Sequence, residues 1–159
     1  MPFAENTTVP QERSRAEIER LISKYGADSF CSGWQGNEAM ITFRLNNKFV
    51  VFRLKMPDRK DEKFTHYRHG SGKVVERKPE QAYKEWEQAG RQRWRALALV
   101  IKAKLEAVES GITTFETEFL AHIVLPGGQT VGQMILPKIE EAYATGNVPP
   151  LLPWEGEKK

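Results

Sequence analysis

Apolar residues recur at helical spacing in the first part of the chain, then switch to the alternation of a strand. Ile18, Leu21, Ile22 and Tyr25 follow the i, i+3, i+4, i+7 pattern of one buried helical face. The spacing predicts a helix from about Pro10 to Tyr25, with Thr7 or Thr8 as its cap and Pro10 in the first turn. Gly26 follows as a stop, because glycine accepts a left-handed backbone.

A three-strand meander is expected next. Its first strand lies near Ser29 to Trp34, and Gln35 to Glu38 form a turn. Asn46 and Asn47 then separate Ala39–Leu45 from Lys48–Lys55, and asparagine tolerates the positive φ of a tight hairpin turn. With this pair as a two-residue loop, Phe43 faces Val50, Ile41 faces Phe52 and Ala39 faces Leu54. These six share one face, while Met40, Thr42, Arg44, Phe49, Val51, Arg53 and Lys55 fall on the other.

Pro57 ends that strand. Asp58 to Lys78 reads as a long polar excursion, with a short strand around Lys73 to Glu76. A long helix follows from near Pro79 to Ser110 and Gly111. At 100° per residue its core face collects Tyr83, Trp86, Gly90, Trp94, Leu97, Val100, Ile101, Leu105 and Val108. Lys84, Arg91, Arg95 and Lys102 fall within about 20° of a common line on the opposite side. Thr113 is placed to cap a shorter helix, with Glu116 completing a capping box and Phe115, Phe119, Leu120 and Ile123 on its apolar side. Pro126 to Gly128 make a turn. A last helical stretch within Thr130 to Thr145 is interrupted or restarted at Pro137 and stopped by Gly146. The tail from Val148 to Trp154 is extended by its prolines.

This order describes an α+β fold: helix, three-stranded antiparallel meander, long helix, short C-terminal helical segment. The 159 residues suit one domain, 1–159, with residues 1–9 and 148–159 as extended termini. The single cysteine, Cys31, leaves no intramolecular disulfide, which fits a reducing compartment. There is no basic-then-apolar leader at the start, and the longest apolar run, Ala96 to Ile101, is far short of a membrane span. A soluble, cytoplasmic protein without membrane association is expected.

The net charge of +3 conceals an asymmetry. Thr42 to Lys104 hold 17 lysines and arginines against 7 aspartates and glutamates, a local +10, whereas the rest of the chain holds 7 against 14, a −7. This separation has two readings: a polyanion partner, or acidic flanks that fold back on the basic middle. The stripe on the long helix likewise either tracks phosphates or forms a solvated face. The outer hairpin face adds Arg44, Arg53 and Lys55, and the excursion adds Arg68 and Lys73 among Phe64, His66, Tyr67 and His69. Rings beside cations are what single-strand binding uses, with bases stacking and charges following the backbone. The nucleic-acid-binding set is therefore Arg44, Arg53, Lys55, Arg68, Lys73, Lys84, Arg91, Arg95 and Lys102. Arg93 and Lys104 point toward the apolar side of their helix, either as structural ion pairs or as a cationic site.

No catalytic motif is present. Gly70-Ser-Gly-Lys73 lacks the leading glycine of a phosphate loop, since Tyr67 stands there, and Val74 replaces the magnesium-binding hydroxyl. His66 and His69 find no spaced partners for a zinc site, with His122 and Cys31 far off in sequence. Cys31 reads as a small apolar strand residue, and no serine elbow occurs. An unfamiliar enzyme would need a cleft gathering His66, Tyr67, His69 and Arg93. Neither a metal nor a cofactor is expected.

The element order from Pro10 to Gly111 resembles double-stranded-RNA-binding domains and, more loosely, phage single-strand annealing proteins. The basic cluster of the RNA-binding family is poorly matched by Lys78, Pro79 and Lys84, with Glu80 and Glu85 between. The runs Arg93-Trp-Arg-Ala-Leu-Ala-Leu-Val-Ile-Lys-Ala-Lys104 and Thr113-Thr-Phe-Glu-Thr-Glu-Phe-Leu120 resemble small bacteriophage and prophage proteins. The resemblance implies two classes. One is a non-catalytic nucleic-acid-binding accessory of replication or recombination, favouring single strands. The other is a protein-interaction module, such as a phage inhibitor of a CRISPR-type host defence complex. The partner classes this leaves are single-stranded nucleic acid, a host or phage protein complex, and further copies of the chain in an oligomer.

Overall fold

The computed structural model describes residues 4–151. Its elements run α1 (Gln11–Lys24), β1 (Ser29–Gln35), β2 (Glu38–Leu45), β3 (Lys48–Lys55), α2 (Glu62–Thr65), β4 (His66–Arg68), β5 (Val74–Glu76), α3 (Pro79–Glu109), α4 (Phe115–Phe119), a 3-10 turn (Leu120–His122) and α5 (Val131–Thr145). The α+β architecture and the antiparallel order β1-β2-β3 stand as the pattern of apolar positions predicts.

The register of the second hairpin is the one the sequence sorts: Phe43 with Val50, Ile41 with Phe52, Ala39 with Leu54. Asn46 and Asn47 take φ of 50° and 58°, which matches the right-handed twist of the flanking strands. Ala39, Ile41, Phe43, Leu45, Val50 and Phe52 are buried against Ile18 and Ile22 of α1 and Trp94, Leu97, Ala98, Ile101 and Leu105 of α3. The larger aliphatic and phenyl side chains among them each contribute about 1.5–3 kcal/mol by leaving water. Both helices therefore cover the same face of the sheet. They also run in the same direction: Gln11 lies against Gly90, Glu17 bonds Arg95, and the Tyr25 hydroxyl donates to Glu109.

Several local expectations are corrected. The N-cap of α1 is Pro10, without a side-chain cap; Thr7 instead accepts from the Val9 N–H at 3.2 Å. Thr114, not Thr113, caps α4 by accepting from the Thr117 N–H, and the box with Glu116 does not form. A reciprocal capping box occurs at Thr130 and Gln133 instead. α5 passes through Pro137 unbroken and ends at Gly146 with φ 73°. The long polar excursion carries α2 and a β4–β5 hairpin paired as His66–Glu76, Tyr67–Val75 and Arg68–Val74. On α3, Tyr83 and Val100 leave the expected core face for solvent, and Ala98 joins the core. Near the N-terminus Ala4 is buried, and the Gln88 amide donates to the carbonyls of Glu5 and Thr7. Residues 148–151 carry no helix or strand; the rest of the expected extended tail lies outside the described residues, as do residues 1–3.

The two edges of the sheet differ. Ile123 bridges Val50, and the Val124 N–H donates to the Phe49 carbonyl at 2.8 Å, so the chain after α4 covers the β3 edge. Phe119 fills the core there, edge-on to Phe43 and Phe52 at 6.1 and 6.3 Å. Among the described residues, no strand pairs with the outer side of β1.

Candidate nucleic-acid interface

The nine cations picked from sequence do not form one surface. Arg44, Arg53 and Lys55 stand on the sheet face opposite α1 and α3, so they are not contiguous with the α3 stripe. Two of the three are neutralised there. Arg44 makes a two-pronged contact with Asp28, both bonds 2.7 Å, and its hydrogen bonds hold the Asp28 carboxyl below its usual range. Arg53 pairs with Glu38 at 2.9 Å.

The stripe is interrupted at its centre. Arg95 turns toward α1 and bonds Glu17, and Arg91 bonds Glu87 at 3.0 Å and the Gln88 side-chain oxygen. Both are half-buried. Only Lys84 and Lys102 at its ends are exposed and free of a carboxylate within 4.0 Å among the described residues. The acidic flanks do fold back on the basic middle here, since Glu17 and Asp28 both come from outside it.

A different cluster forms where the β4–β5 hairpin and α2 meet the first turns of α3. Trp86 Nε1 donates to the Pro57 carbonyl at 2.8 Å, which ties this end of α3 to the exit of β3. Arg77 lies two residues beyond Val75, the partner of Tyr67, and so shares the Tyr67 face; its guanidinium sits 5.3 Å from that ring. Arg77 Nε has no solvent contact and no acceptor among the described residues. Tyr67, Arg77, Gln81, Lys84 and Glu85 line a cleft of about 380 Å³. On the other side of Lys84, Arg59 sits 5.1 Å over the Tyr83 ring, and Arg59, Pro79, Glu80, Tyr83 and Lys84 line a second cleft of about 360 Å³. Tyr67 and Tyr83 are 38% and 41% exposed, enough for each to offer ring surface to a ligand. Arg68 and Lys73, on and beside the same hairpin, are exposed and carry no carboxylate partner among the described residues. Of the nine, then, Lys84 lines both clefts, while Arg68 and Lys73 lie on and beside the hairpin that carries Tyr67. Arg59, Arg77 and Tyr83 line the same two clefts; no local sequence pattern singled them out.

The remaining candidates are dispersed. Tyr67 lines the first cleft, whereas Arg93 lines a groove with Leu54, Gln92, Ala96, Leu97 and Val100. Gln81 and Arg93 are twelve residues apart on one helix, about 18 Å. His66 Nδ1 is 2.8 Å from the Thr65 hydroxyl and His69 Nδ1 is 3.3 Å from Ser71, so each ring is engaged within its own turn. Among the described residues no three metal-ligating side chains converge. Cys31 is exposed rather than buried. Lys104 is a structural pair, bonding the Glu118 carboxylate at 2.9 Å and its carbonyl at 3.0 Å. His122 stacks on Phe52 with ring centres 4.0 Å apart, and burial, with Lys104 nearby, lowers its pKa below 6.5. No described helix is long and apolar enough to cross a membrane.

Comparison with known protein families, curated proteins and solved structures finds no match for this chain. Any functional reading therefore comes from the site itself.

Proposed function

We propose that this protein binds single-stranded nucleic acid without catalysis, through the surface made by the β4–β5 hairpin, α2 and the first turns of α3. The observation that carries the reading is the arrangement around Lys84. A cation–ring pair flanks it on each side, Arg77 with Tyr67 and Arg59 with Tyr83. The rings supply stacking surface that any base can use, and the unpartnered cations beside them meet the backbone phosphates. The exposed, unpaired ammonium groups of Lys73 and Lys84 want acceptors of the kind a phosphate supplies. The neutralised arginines elsewhere have no such need.

Two features favour single strands over a duplex. The clefts are short and interrupted by rings, and no continuous cationic line spans the molecule once Arg91 and Arg95 are paired. The test is fluorescence anisotropy with labelled single- and double-stranded DNA and RNA at two salt concentrations. The reading predicts tighter binding of single strands and an affinity that falls as salt rises. Absence of salt-dependent binding to every oligonucleotide would contradict it and favour the protein-interaction class, an inhibitor of a host defence complex included.

A further inference from the structure

We infer that β1 is a homodimerisation edge, pairing antiparallel with β1 of a second copy of this chain to make one six-stranded sheet. The Met56 N–H donates to the Asn37 carbonyl, which fixes the ladder phase: odd-numbered residues of β2 bond β3, and even-numbered ones bond β1. The β1 partners of those even residues are Ser29, Cys31, Gly33 and Gln35. It follows that Phe30, Ser32 and Trp34 direct their N–H and C=O groups away from the sheet, where no described strand meets them.

Natural sheets protect such an edge with charge, proline or a covering segment. β3 has its cover in residues 123–124, but among the described residues β1 has no such cover. Its seven residues, Ser-Phe-Cys-Ser-Gly-Trp-Gln, contain no charge and no proline, in a chain that is 28% charged. Trp34 shares the helix-side face with Ala39 yet is 80% exposed.

The occupant follows from self-complementarity. A two-fold axis at Ser32, the middle of the strand, sets Phe30 of one copy against Trp34 of the other on the helix-side face. The same axis pairs the outward backbone groups of residues 30, 32 and 34 with those of 34, 32 and 30, so every open group is matched. On the opposite face Cys31 meets Gly33, which leaves room between the two thiols. The charges nearest the strand are already paired within each chain, Arg44 with Asp28 and Arg53 with Glu38, so the contact brings in no uncompensated charge. A strongly charged partner strand gains nothing from this neutral edge.

The experiment is made in the absence of nucleic acid, so its outcome is separate from that of the binding proposal. Sedimentation over a wide concentration range is expected to show a monomer–dimer equilibrium. A short bis-maleimide is expected to link two chains through Cys31, the only cysteine. Ser32→Pro removes an edge-facing N–H without touching the bonds to β2, and Trp34→Lys places a charge on an exposed position; both are expected to yield folded monomers that do not cross-link. A wild-type chain that stays monomeric and uncrosslinked at every concentration overturns the proposal. So does a dimer that both variants retain.

Discussion

A β-carbon on Gly132 would lie 2.8 Å from the Ala121 carbonyl oxygen, whereas one on Gly90 would meet only the flexible side chain of Gln11. The two glycines are alike in sequence but opposite in consequence. Gly132→Ala is expected to cost about 1–3 kcal/mol, because two backbones must separate. Gly90→Ala is expected to be neutral or to stabilise by up to about 1 kcal/mol, since the side chain of Gln11 can move and alanine favours the helix. Urea midpoints of the two variants check both statements. His122 gives the pH dependence at this scale. Its pKa lies below 6.5 in the fold, chiefly through burial, so folding favours the neutral ring. That contribution is complete above pH 6.5 and is lost as pH falls through 6.5 toward the lower folded value. Denaturation midpoints at pH 7 and at mildly acidic pH are expected to separate for the wild type. The part of the separation due to this ring disappears in His122→Phe, which keeps the stack on Phe52.

Among the elements, the β2–β3 hairpin and the core face of α3 were legible, since their periods of 2 and 3.6 run long enough to fix register and orientation. The β4–β5 hairpin was not, because three-residue strands show too little alternation to separate from a polar loop. Only the Val74–Glu76 strand was anticipated. The α3 stripe was legible as a line of cations but not as a surface. Its outcome depends on Glu17, seventy-eight positions away from Arg95, and no local pattern reports a parallel helix on that side. Pairing changes what substitution does. Arg95→Glu faces Glu17 across a half-buried contact and is expected to destabilise by roughly 2 kcal/mol or more. Lys102→Glu, on the same line but exposed and unpaired among the described residues, is expected to leave the urea midpoint unchanged within about 0.5 kcal/mol.

Over the whole molecule, the basic middle resolves into two kinds of charge. Arg44, Arg53, Arg91, Arg95 and Lys104 serve the fold, tying strands and helices to acidic residues. Lys84, with Arg59 and Arg77 on their rings, is left beside Tyr67 and Tyr83 at the N-terminal end of α3, and Arg68 and Lys73 lie on and beside the hairpin that carries Tyr67. The central claim is that this end, and not the α3 stripe, holds a single strand. Its most direct test compares the salt dependence of oligonucleotide affinity in the wild type, in Arg68→Glu/Lys73→Glu/Lys84→Glu, and in Lys102→Glu. The account predicts that the triple variant folds, binds at least about a hundredfold more weakly and loses most of the salt slope, each phosphate contact contributing about 0.7 to a single-strand slope. Lys102→Glu is predicted to bind like the wild type. Undiminished affinity in the triple variant, or an equal loss in Lys102→Glu, would contradict it.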